Sequence, residues 1–115
     1  MSQAYLRKVE LLRGQYLAEL PQDLAQIGTL ITLIRDGRDH EESWELLHRV
    51  LHDNAGNAGM LSFARLEALF RDALAPLETS YPVALPPEPG TIDRIAEKVE
   101  LIRDETEKLR ADLGV

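Results

Sequence analysis

The sequence predicts an all-α protein: an antiparallel, up-and-down four-helix bundle whose first helix is bent or split at Pro21. Three observations predict it. Apolar residues recur at helical spacing and not at strand spacing. Turn-forming residues gather between the periodic stretches. Hydrophobic residues make up 44% of 115 positions, enough for one core in a single domain spanning residues 1–115.

The elements follow in order. Leu6, Val9, Leu12, Tyr16 and Leu20 lie on one stripe, which Leu24, Ile27, Ile31 and Ile34 continue. Between them Pro21 removes a backbone donor, which predicts a bend or a restart. Residues 36–43, "DGRDHEES", read as a turn in which Gly37 ends the first helix and Ser43 begins the second. Trp44, Leu47, Val50 and Leu51 mark that second helix. A third is predicted from about Phe63 to Leu77, with Ser62 as its N-cap. "TSYPVALPPEPGT", residues 79–91, holds four of the six Pro and reads as a loop. The last helix, Thr91 to Leu113, carries Ile92, Ile95, Val99, Ile102, Leu109 and Leu113 on one face. At this length such a face packs on its own bundle more readily than it forms a coiled coil.

Composition excludes several classes. With no Cys there are no disulfides and no thiolate metal sites, which fits a reducing compartment. No apolar run approaches the ~20 residues that span a bilayer, and the charged start "MSQAYLRKVE" lacks the apolar core of a signal peptide. A cytoplasmic protein without membrane contact is therefore expected. A net charge of −7 with three Lys argues against a nucleic-acid binder, which needs a clustered basic face.

One stretch does not fit an ordinary helix. "LHDNAGNAGM", residues 51–60, places two Gly and two Asn directly behind His52. Gly costs a helix about 1 kcal/mol relative to Ala, so two within one turn need a reason. Either the helix ends at a Gly cap and His52 is an ordinary surface residue, or it continues and something approaches its surface closely. In a continuing helix Gly56 and Gly59 fall on the side of His52, together with Glu45 and His48, whereas Leu47, Val50 and Leu61 fall toward the back.

"HDNAGNAGMLSFARLEAL" resembles the signature of histidine-containing phosphotransfer (HPt) domains. These are four-helix bundles that carry a phosphoryl group between histidine kinases and response-regulator receiver domains. The family pattern has the phosphorylated His, Gly four residues on and small residues at five and seven. Gly follows at ten and apolar residues at eleven, fourteen and seventeen. Counted from His52, these positions hold Gly56, Asn57, Gly59, Ser62, Phe63, Leu66 and Leu69. Upstream, "WELLHRVLH" matches the family's apolar spacing, and "QYLAELPQDLAQI", residues 15–27, resembles its first long helix, Pro included. The likeness covers most of the chain, with residues 44–74 carrying nearly all its specificity.

The chain departs from the pattern at three positions. The family has Leu or Ile two residues after the His and often Lys at three, where Asn54 and Ala55 stand here, and Ser62 replaces the Gly at ten. Asn54 points to the core side and needs a buried hydrogen-bond partner; if poorly paired, its replacement by Leu would stabilise the fold. A rival register sets Gly59 at position ten and Arg49 at the place of the His, which describes a relative that cannot be phosphorylated. The His52 register keeps both the His and the Gly at four.

The resemblance implies a phosphoryl carrier without catalytic turnover of its own, phosphorylated on His52. Its implied partners are a receiver domain and a histidine kinase or hybrid kinase. No cofactor is bound by this chain; the Mg²⁺ and the phosphorylated Asp belong to the receiver. His48, Arg49, Ala55, Gly56 and Gly59 are the expected receiver-docking face, and a monomer is expected. The chemistry suits the residue type, because a neutral imidazole carries a free nucleophilic nitrogen and phosphoryl transfer depends mainly on positioning and charge neutralisation. Arg49, one turn before His52, is placed to hold phosphoryl oxygens or to stand as a solvated charge.

Two readings of other classes compete. Glu45 and His48 have the Glu-x-x-His spacing of di-iron bundles, but the third His, His40, is expected in a loop, and no second motif stands elsewhere. The stronger rival is an HPt-like interaction module that binds signalling partners without carrying phosphate.

Overall fold

The computed structural model describes residues 2–37, 40–80 and 90–115. They form an all-α four-helix bundle: α1 (Gln3–Arg35), α2 (His40–Met60), α3 (Ala64–Ser80) and α4 (Thr91–Leu113). Each helix lies beside two others in the cyclic order α1, α2, α3, α4. Along α1 and α4 the contacts run in opposite directions. Arg35 pairs with Asp93, Arg103 donates to the Leu24 carbonyl, and Gly14 lies by Val115. This is compatible with the up-and-down order.

The core is the predicted stripes brought together. Leu17, Leu20, Leu24 and Ile27 of α1 meet Leu47 and Leu51 of α2, Leu66, Phe70 and Leu74 of α3, and Ile95, Val99 and Ile102 of α4. At ~1.5–3 kcal/mol for each fully buried large side chain, this apolar burial is the main force assembling the helices.

Four boundaries differ from the sequence reading. First, α1 is not split: it runs unbroken through Pro21. Pro21 deprives the Leu17 carbonyl of one donor, but Leu17, Leu20 and Leu24 around it are all buried, and their packing outweighs a single lost bond. Second, α2 begins at His40 and not at Ser43, so His40 is helical and Ser43 is a buried residue inside the helix. Trp44, 3% exposed, draws that extra turn onto the core. Gly37 does end α1, at φ +72°; residues 38 and 39 lie outside the described residues.

Third, Ser62 is not an N-cap. It sits at φ +63°, and it closes α2. Its N–H donates to the Gly59 carbonyl at 3.1 Å, while the Phe63 N–H donates to the Ala58 carbonyl at 2.9 Å. That pair of bonds is the Schellman arrangement, in which the left-handed residue satisfies carbonyls the helix leaves over. Phe63 and Ala58, both buried, supply its apolar contact, and Phe63 offers its own carbonyl to Glu67 to start α3. Fourth, α3 extends through Ser80, past the expected Leu77 and into the start of the predicted Pro-rich loop, whereas α4 begins at Thr91 as expected. Residues 81–89 of that loop lie outside the described residues.

Candidate functional site

The "NAGNAG" stretch stays helical. α2 continues through Gly56 and Gly59 to Met60, so the helix does not stop behind His52. His52 stands on the outside, its side chain 64% exposed. Its ring lies 6.0 Å from that of His48, one turn earlier, with the planes 24° apart. Arg49 is exposed on the neighbouring side of the same turn. The Asp53 Oδ1 atom is 3.7 Å from Nδ1 of His52.

The two Gly have different reasons. At Gly56 an added Cβ would meet nothing within 4 Å, so the space beside the imidazole is open. At Gly59 a Cβ would lie 2.6 Å from Oε2 of Glu67 on α3. Arg71 holds that carboxylate through Nε at 3.0 Å and Nη2 at 2.8 Å. Gly59 therefore serves the packing of α3 on α2, and Gly56 alone clears the surface.

Ala55 does not belong to the face. It is 1% exposed and part of the core, because it stands four residues after Leu51 and three before Ala58, on the buried stripe those two share. The expected docking set thus resolves into His48, Arg49, His52 and Gly56 on the surface, Gly59 beneath Glu67 and Ala55 inside. Glu45 is exposed as well, so the Glu-x-x-His pair does not point into the bundle as a di-iron site requires. Among the described residues no group of three or more His, Cys, Asp or Glu is arranged to hold a metal ion, and no helix is long and apolar enough to cross a membrane.

Behind the imidazole lies a polar network that spacing did not reveal. Asn54 is 2% exposed and fully engaged. Its Oδ1 accepts from the Tyr16 hydroxyl at 2.8 Å, and its Nδ2 donates to the Val50 carbonyl at 2.9 Å and to Asp23 Oδ2 at 3.1 Å. Tyr16 stacks on Phe63 at 6.1 Å, and the Arg13 guanidinium lies over the same Phe63 ring, 4.3 Å from its centroid. Burial first, and the Asp23 charge second, push the Tyr16 hydroxyl well above the ordinary phenol range. The one available signal was Asn54 itself: an amide at a core position must find partners, and Tyr16 and Asp23 sit two turns apart on the facing side of α1. The network fastens the turn that carries His52 to α1, so the exposed imidazole stands on a fixed base.

Set against known families, characterised proteins and solved structures, the chain matches none.

Proposed function

We propose that this chain is a phosphoryl carrier of a two-component phosphorelay in the cytoplasm, accepting a phosphoryl group on His52 and exchanging it with the Asp of a receiver domain. The observation that carries the reading is the left-handed residue Ser62, at φ +63°. It stands ten residues after His52, where the HPt pattern has Gly, and a positive φ is the backbone condition that favours Gly. Counted from Arg49, position ten is Gly59, inside α2, where nothing calls for a Gly of that kind. The exposed imidazole and the open space at Gly56 support the same register.

In this reading Nε2 of His52 attacks the phosphorus of the aspartyl phosphate in line. Its lone pair forms the N–P bond, the O–P bond breaks, and the aspartate leaves as a carboxylate. Asp53 faces the positive charge that develops at Nδ1, and Arg49 is the side-chain cation nearest in sequence for the phosphoryl oxygens. The receiver supplies the Mg²⁺. The test is incubation with a receiver domain charged by acetyl phosphate: acid-labile, base-stable phosphate mapped to His52 is the expected result, and its absence across a panel of receivers sinks the reading.

One observation favours the second reading, an interaction module that carries no phosphate. From Asp53 to Ala64 there is no Lys or Arg, and the carboxylate of Asp53 stands nearest the imidazole. Receiver binding by calorimetry without phosphate uptake is the outcome that selects it.

A further inference from the structure

The apolar stripe of α1 does not stop where the bundle does. Leu17, Leu20, Leu24 and Ile27 fill the core, and the same side of the helix continues backward through Arg13, Val9 and Leu6. Phe63, at the turn between α2 and α3, reaches α1 at Tyr16 and Arg13. The end of α4 meets α1 lower down, where Leu113 lines a cleft with Glu10, Arg13 and Gly14. Residues 3–8 are exposed throughout. They form an arm ~9 Å long, and free helical turns this short are marginal in water.

Exposed apolar side chains concentrate at this end. Of the eight large ones among the described residues, six are Tyr5, Leu6, Leu11, Leu12, Leu113 and Val115. A patch this localised marks an interaction surface. We propose that it is the interface between two copies of this chain, packed end to end about a dyad with the arm of each lying against the other.

Charge and area both point to a second copy. Residues 2–16 hold Arg7, Lys8 and Arg13 against Glu10, a balance of +2; the chain total of −7 leaves −9 for the remainder. Two such acidic bodies repel end to end, and a cationic arm from each, set against the other's body, offsets that repulsion. Leu11 lies on the opposite side of α1, but the other five side chains are each about half exposed. Together they offer roughly 450 Å² of apolar surface per copy; at the ~60% apolar share of interfaces, two copies bury on the order of 1,500 Å², a standard-size contact. An isologous contact also uses the same patch twice, so no complementary surface is needed elsewhere on an otherwise polar molecule. His52 lies eight residues before Met60, ~12 Å up α2 from this end, and remains accessible in both copies. Under this proposal the chain is a dimer, where its sequence leads one to expect a monomer.

Sedimentation equilibrium of the full chain tests it. The expected mass at high micromolar concentration is twice the 12.9 kDa of one chain. Leu6→Glu and, without added charge, Tyr5→Ser each weaken the dimer at least about tenfold, with helicity by circular dichroism unchanged because neither side chain is buried in the single chain. A wild type that stays at the mass of one chain overturns the proposal, and so does a dimer that survives both substitutions. Binding of a monomeric wild type to phosphatidylserine vesicles overturns it too, and assigns the arm to an anionic lipid surface.

Discussion

The Tyr16 hydroxyl on α1 donates to Asn54 Oδ1 on α2 at 2.8 Å, directly behind the helical turn that presents His52. Asn54 completes its bonding with the Val50 carbonyl and Asp23. A buried amide with every donor used is a register pin between two helices whose other contacts are non-directional. It corrects the expectation that Leu would serve better at this position.

Asn54→Leu should therefore destabilise the bundle by about 2 kcal/mol, since it strands the Tyr16 hydroxyl and removes a partner of Asp23. Urea unfolding measures it. A gain in stability would mean that the network contributes nothing net.

Tyr16 makes the fold sensitive to alkali. Its hydroxyl is held above the ordinary phenol range by burial and then by Asp23. The folded state thus keeps its proton at a pH where the unfolded chain releases it. The contribution is complete below the unfolded value of ~10 and declines as pH rises past it. Tyr16→Phe should flatten this alkaline decline in thermal midpoint while lowering stability at neutral pH, where Asn54 Oδ1 loses its donor.

Ser62→Gly should stabilise the protein by about 0.5–1 kcal/mol. Ser62 holds φ +63°, a conformation that costs a residue with a Cβ and is open to Gly. The thermal midpoint is expected to rise by several degrees. No change would show that the Schellman bonds at Gly59 and Ala58 already absorb the strain.

Gly56 and Gly59 should gain unequally from Ala. Gly56→Ala enters open space and gains helix propensity, about 0.5–1 kcal/mol. Gly59→Ala has to displace the Glu67 carboxylate from its Arg71 fork, so it should gain less than Gly56→Ala. Under the proposed function Gly56→Arg folds normally but blocks transfer, because its side chain fills the space beside His52.

His52→Gln should abolish phosphoryl acceptance and preserve receiver binding, as Gln is polar but has no nucleophilic nitrogen. His48→Gln should lower acceptance only modestly, since the stacked ring at 6.0 Å shapes the surface without taking the phosphoryl group. Phosphate uptake by His52→Gln would move the site elsewhere.

The sequence by itself determined the helices and the sides they bury, because a repeat of three and four is a property of neighbours along the chain. Thr91 to Leu113 was legible to the residue, and so was the turn at Gly37. His52 was legible as a candidate site because two Gly close together are rare inside a helix. Tertiary structure decided what depends on residues distant in sequence. It kept α1 whole through Pro21, since packing on both sides outweighs one missing backbone bond. It divided the two Gly between an open surface and a contact with Glu67, and it drew Ala55 into the core. It also gave Asn54 its partners from α1, 31 and 38 residues away. Whether a buried amide costs or contributes stability depends on what faces it, and only the folded chain brings Tyr16 and Asp23 there.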